Sequence, residues 1–247
     1  AASQLIEQMT TAEFNDVWWL KSMMALLQED VSSAKTALFQ AGQFSNPNDF
    51  LVFNAILKYK SGDTTGAISK LRKDVHLHPL GNHSLWFLAQ IAKATPYEDL
   101  AKQTILDKLA LEHSRRSTLD FLSAALWEIG ETERALEIAK QGKARDCENP
   151  DIDMKVNCLA WYDALTHQNL TEQIEAMTKI VDANPGRSDF ADTLAVLYRV
   201  QGNHEQANRL SKKALIFGGA DPYMMWQHFV PNVPAAQPTE TIESEAP

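Results

Sequence analysis

Apolar residues recur along this chain at helical spacing. Leu85, Leu88, Ala89 and Ala92 stand at i, i+3, i+4 and i+7, and Leu119, Leu122 and Leu126 repeat the stripe one period later. Such a stripe is the buried face of a helix. Polar or helix-breaking residues separate the stripes at Glu29-Asp30, Gly62-Asp63, Pro96, Gly130-Glu131, Gln168-Asn169 and Gly202-Asn203. Prolines follow at Pro47, Pro79, Pro150, Pro185 and Pro222, where a preceding helix cannot continue. Asn149-Pro150-Asp151 reads as a helix start: an Asn cap, then Pro and an acid in the first turn. The alternation predicts pairs of antiparallel helices, about twelve in all and about 10–15 residues each, with no sheet.

A second pattern lies over the first. Alanine recurs at Ala34, Ala67, Ala101, Ala135 and Ala207, at intervals of 33, 34, 34 and 72. Twelve residues before each stands another small residue: Ser22, Ala55, Ala89, Ser123 and Ala195. Two small residues at a fixed offset let two helices cross closely, and a period of 34 marks a stack of such hairpins. These ten residues are the expected hairpin-packing positions.

On these residues the chain resembles the tetratricopeptide repeat (TPR) family, whose pattern is W-x2-L-G-x2-Y, then A-x3-F, then P. The last copy is the clearest, with Leu194-Ala195, Tyr198, Gly202, Ala207 and Ala214. The second reads Leu51, Ala55, Gly62, Ala67, Leu71 and Pro79; the first keeps Trp18, Ser22, Ala34 and Leu38. The fifth departs most, with Trp161 and Gln173 in the two small positions. Six copies would begin near residues 15, 48, 82, 116, 154 and 188 and cover 15–221. The resemblance implies an all-α, right-handed superhelical solenoid of antiparallel hairpins. Around it we expect a lead-in helix or cap over 1–14, an apolar cap segment over 222–230 and an acidic, proline-rich disordered tail over 231–247.

In TPR proteins the first helix of each hairpin lines a concave groove. That register places Trp19, Met23, Val52, Ile56, Tyr59, Trp86, Gln90, Trp127, Tyr162, Asp192 and Arg199 on the inner face. The family's carboxylate clamp of Lys, Asn and Arg is replaced here by Trp19, Met23, Phe53, His83 and Phe87, which disfavours an adaptor for acidic chaperone tails. Aromatic residues at helical spacing are either anchors in an apolar groove or core between helices. The apolar octet Tyr223–Val230 either covers the end of the last hairpin or docks on a partner.

Composition narrows the reading. The net charge is −9 and the pI about 5.3, so phosphate backbones and anionic lipid repel the chain and nucleic acid is not an expected partner. The longest apolar stretches, Val17–Leu20 and Met23–Leu27, are too short to span a bilayer. The chain opens Ala-Ala-Ser without Met, as an exported protein cut after a small residue does, and as a trimmed domain does equally. Export or membrane tethering is slightly favoured over the cytoplasm. Cys147 and Cys158 permit one disulfide and do not demand it.

Candidate chemistry is thin. His76, His78 and His83 cluster around Pro79 and Gly81, but no cysteine joins them in a four-ligand zinc set, and they are expected as exposed turn residues. Asp146, Glu148, Asp151 and Asp153 lack the glycine and closing glutamate of a calcium loop and read as an acidic helix start. No P-loop, nucleophile elbow, H-E-x-x-H or C-x-x-C occurs. The expectation is a non-enzymatic, cofactor-free scaffold or assembly factor that holds an apolar helix or extended peptide of another protein. The alternatives are self-association through the C-terminal apolar segment, and an accessory domain of a larger membrane-attached enzyme.

Overall fold

The computed structural model describes residues 15–41, 47–77, 83–112, 119–218 and 222–230. Among them are thirteen α-helices and no strand. Six hairpins follow one another: α1 (Asn15–Leu27) with α2 (Val31–Ala41), α3 (Pro47–Lys60) with α4 (Thr64–Leu77), and α5 (His83–Ala92) with α6 (Glu98–Glu112). Then come α7 (Leu119–Glu128) with α8 (Thr132–Asp146), α9 (Ile152–Leu165) with α10 (Leu170–Ala183), and α11 (Ser188–Gln201) with α12 (His204–Gly218). A last short helix, α13, spans Pro222–Phe229. The lead-in expected over 1–14 and the tail expected over 231–247 lie outside the described residues. No described helix is long and apolar enough to cross a membrane.

The hairpins close on their small residues. Ser22, Ala34, Ala55, Ala67, Ala89, Ala101, Ser123, Ala135, Ala195 and Ala207 are all at most 3% exposed. In the first hairpin the pair also bonds, Ser22 Oγ donating to the Ala34 carbonyl at 2.7 Å. A larger side chain at any of these positions would separate the two helices and forfeit close packing along both.

The turns repeat a second device. Gly62, Gly130 and Gly202 have φ of +82°, +85° and +91°, the left-handed conformation that ends a helix most cheaply in glycine. The next residue caps the following helix in three hairpins. Asp30, Asp63 and Asn203 accept the backbone N–H of Ser33, Gly66 and Gln206. In the first, third and fifth hairpins a non-glycine residue takes the turn, Glu29 at φ +62°, Ala94 at +58° and His167 at +55°. A Cβ on Gly202 would meet nothing within 4 Å. Gly202→Ala is therefore expected to cost about 1 kcal/mol from backbone strain alone, and Ala94→Gly, at an exposed residue with φ of +58°, to recover a similar amount. Chemical denaturation of the two variants reads both signs.

The fifth hairpin corrects the sequence register. Trp161 does not sit at the helix crossing. Ala160 and Ala164 are the fully buried small residues of α9. Counting seven residues from Ala160, as in the first, second, fourth and sixth hairpins, lands on His167, the residue with the left-handed turn. Trp161 faces the other way, and Tyr162, expected in the groove, turns instead into the α8–α9 interface. There its hydroxyl donates to Asp146 at 2.7 Å and its ring lies against Gly142, where any Cβ would overlap it. Burial, then the Asp146 hydrogen bond, pushes its phenol far above the usual range. Nearby, Lys143 pairs with the buried Asp163, which also accepts from Gln173 at 2.7 Å. The Cys147 and Cys158 sulfurs are bonded, with Cα atoms 5.3 Å apart, and tie the end of α8 to α9 across the connection between them.

The C-terminal helix corrects a second expectation. Rather than covering only the open end of the last hairpin, α13 lies against α3 of the second hairpin as well as α12 of the sixth. It fills the concave side of the stack.

Candidate functional site: a helix seated in the concave face

The inner face of the solenoid carries a ladder of rings. Trp19, Phe53, Phe87 and Phe121 stand 34 residues apart, one on the first helix of each of four hairpins. The Trp19 side chain lies outside the described set. Phe53 and Phe87 are fully buried, and Phe121 is half-buried. Phe87 and Phe121 come close enough in the stack for His83 and Tyr223 each to lie within ring-contact distance of both.

α13 binds across this ladder. Trp226 stacks on Phe87 with centroids 4.2 Å apart and planes 11° from parallel. Tyr223, one turn earlier on the same face, stacks on Phe87 at 5.9 Å and 17°. It also meets Phe121 at 5.6 Å and Trp161 edge-on at 6.0 Å. Trp86 packs beside them, edge-on to Trp161 at 6.1 Å. Trp226 is the largest fully buried side chain described. Offset and edge-on aromatic pairs of this kind add about 0.5–1.5 kcal/mol each beyond their buried area.

Polar groups fix the register of the helix. The Trp226 indole N–H donates to Gln90 Oε1 at 2.9 Å. Arg199 donates twice to Gln227, to its side-chain oxygen at 3.0 Å and to its backbone carbonyl at 2.8 Å. That carbonyl is in the last turn of α13, where it has no partner within the helix. A cation there also meets the negative end of the helix dipole. Burial pulls the Arg199 guanidinium below its ordinary value, with Asp192 opposing. Burial and the neighbouring Asp192 carboxylate push the Tyr223 phenol well above its own. On the opposite wall Asp120 accepts from the Trp161 indole at 3.1 Å, and burial raises its carboxyl.

His228 makes α13 sensitive to acid. Its Nδ1 is 2.9 Å from Ser211 Oγ on α12. Burial first, then Arg199, Lys212 and Lys60, pushes its pKa down to about 4. Away from the groove it would titrate near 6.5, so an undocked helix takes up a proton that the docked one refuses. Docking strength is thus full above about pH 6.5 and falls between there and 4. Between pH 7 and 5 the expected loss is about 2 kcal/mol. Amide exchange of α13 at the two pH values reads it, and His228→Asn is expected to flatten the dependence.

The sequence register is met unevenly. Gln90 and Arg199 do face the groove and bond to α13. Met23, Val52, Ile56 and Trp86 are 5% exposed or less and belong to the core of the folded chain, not to an open surface. Tyr59 is half-buried against the same core, and burial raises its phenol. The Trp127 ring lies tilted against His167, with centroids 5.0 Å apart. His83 is not a solvent-facing turn histidine. Its ring sits 5.4 Å from Phe87, 5.6 Å from Phe121 and 5.8 Å from Tyr223. Phe121 and Trp161 were missed as groove residues. The 34-residue ladder of rings was the available signal for Phe121, and the helix start at Asp151 was the signal for Trp161.

No family model matches the chain, and no curated protein does. Solved structures do match. A crystal structure of the P58(IPK) TPR domain is 13% identical, with 92% of this chain and 67% of that one covered and a TM-score of 0.34. The chain's own paired helices, closed on their buried small residues, make it a stack of TPR-like hairpins. A MamA RS-1 ArsTM double mutant is 17% identical, covering 84% and 96%, with a TM-score of 0.27. A MamA structure is 18% identical, covering 69% and 91%, with a TM-score of 0.28. The hairpin architecture rests on this chain's own helices, since superposition at these scores is loose.

Proposed function

We propose that this chain is a non-enzymatic protein-interaction scaffold that receives a short apolar helix in its concave face. One observation carries the reading: a helix is already seated there, and it is the chain's own. Its eight residues are too few to be helical alone in water, so the groove supplies the order. Apolar anchors at helical spacing in a groove are a recurrent way for one protein to hold another's helix. Burial of Met23, Val52, Ile56 and Trp86 makes them the floor under the ring ladder. Partner contact then falls to Phe87, Phe121, Trp161, Gln90 and Arg199.

The Cys147–Cys158 bridge supports a setting outside the reducing cytosol, where such bonds persist. A scaffold of this kind suits an assembly factor there, standing alone or as part of a larger membrane-attached machine.

A protease site inserted between Gly218 and Pro222 tests the reading. Cutting frees α13 from its tether and leaves its contacts in place. The cut chain is expected to exchange α13 for a fluorescent synthetic copy, saturably and in the micromolar range typical of short helical ligands. Failure of the copy to bind, or collapse of the other twelve helices on cutting, would make α13 an integral piece of core and end the proposal.

A further inference from the structure

α13 is built more like a ligand than like a cap. A cap covers the last hairpin. This helix instead reaches Phe87 and Gln90 of the third hairpin, Phe121 of the fourth, Trp161 of the fifth and Arg199 of the sixth. Its limits are set in the sequence by Pro222 and Pro231, one at each end of the helix. A greasy plug would need only apolar contact. Here the half-buried Gln90 amide accepts from one indole N–H, and a desolvated guanidinium grips the last-turn carbonyl and the amide of the same residue. Those two polar groups read chemistry as well as shape, because either one left unmatched in the groove loses a hydrogen bond shielded from water.

We infer that the groove selects a partner protein's helix presenting an aromatic ring, a tryptophan three residues later and an amide next to it, and that α13 is the built-in competitor which such a helix must displace. This rests on the helix-binding reading above. In α13 the three positions are Tyr223, Trp226 and Gln227. Gln90 is the specificity residue for tryptophan over phenylalanine: both rings stack on Phe87, and only the indole donates. Three residues join α12 to α13, so the tethered helix is present at an effective concentration on the order of millimolar. A partner succeeds only by binding more tightly than that competitor does, which makes occupancy a threshold and not a default.

The experiment compares cut and uncut full-length chain carrying the protease site. Three labelled peptides are titrated: the α13 sequence, its Trp→Phe form and its Tyr→Ala form. With the cut chain, the Trp→Phe peptide is expected to bind about tenfold more weakly than the α13 peptide, the loss of one buried hydrogen bond. The Tyr→Ala peptide should also bind more weakly, and equal binding would remove the aromatic position from the motif. Gln90→Leu should erase the Trp/Phe difference while leaving stacking intact. The uncut chain should bind the α13 peptide at least about 100-fold more weakly than the cut chain. Equal binding of the Trp and Phe peptides, discrimination that survives Gln90→Leu, or equal binding by cut and uncut chains would each overturn the inference while the helix-binding reading stands. Absence of any peptide binding to a folded cut chain removes both. A concentration-dependent dimer of the uncut chain, with α13 crosslinked to the groove of the other copy, would seat a second copy there and overturn the external-partner assignment.

Discussion

Trp226→Ala is expected to release α13 from the groove while the six hairpins stay folded. The side chain is fully buried, stacks on Phe87 and satisfies Gln90, so three contributions vanish together. Removing a buried tryptophan costs about 3–5 kcal/mol through lost transfer energy and the cavity left behind. An eight-residue helix has no stability of its own against that loss. The loss therefore falls on docking and not on the stack, whose hairpins close on their own small residues. Native-state hydrogen exchange separates the two. Protection of α13 amides should collapse, while that of α5, α7 and α11 should remain. Trp226→Phe is the graded control. It keeps the ring on Phe87 and gives up one hydrogen bond, for about 1 kcal/mol. Equal loss of protection in all helices of Trp226→Ala would mean that α13 is a cooperative part of the core.

The stack was legible because its information is local and repeated. A small residue, a second one twelve later and a breaker between them specify a hairpin with no reference to the rest of the chain. Repetition turns six weak signals into one register, and the first helices begin at Asn15, Pro47, His83, Leu119, Ile152 and Ser188. The fifth hairpin slipped because Trp161 looked like the 12-residue partner of Gln173, while Ala160 beside it was the residue that packs. One position of slip rotates a helix by about 100°, enough to exchange the roles of Trp161 and Tyr162. The occupied groove was illegible for a different reason. That Trp226 stacks on Phe87 is a contact between residues 139 apart, made only after five hairpins have curled around it. The register identified inner-facing positions, including Gln90 and Arg199. It could not say that their partner lay in the same chain, since an apolar octet reads alike as cap, plug or ligand. Curvature of the stack decides among these, and curvature is a sum of small rotations that no single residue encodes.

Loss of the Cys147–Cys158 bridge is the other large effect to expect, and it acts on the solenoid and not on α13. The bond closes a loop between positions 11 apart, across the connection from α8 to α9. In the chain-entropy account, opening a loop of that size costs about 3 kcal/mol, because the unfolded chain regains freedom that the bridge denied it. Neighbouring contacts do not replace it. Tyr162 against Gly142, and Lys143 with Asp163, hold the same two helices in the folded state but place no constraint on the unfolded one. For a chain of this size about 3 kcal/mol corresponds to about 6–12 °C in melting temperature. The Cys147→Ser/Cys158→Ser double variant is expected to melt lower by that amount and to ignore reductant. The parent chain should melt at the variant's temperature once reduced. A parent chain whose melting is indifferent to reductant, and which yields two reactive thiols when denatured without it, would show that the bridge does not form. The α8–α9 connection would then be held by packing and by the Tyr162 and Asp163 contacts, and the bond's support for an oxidising setting would go with it.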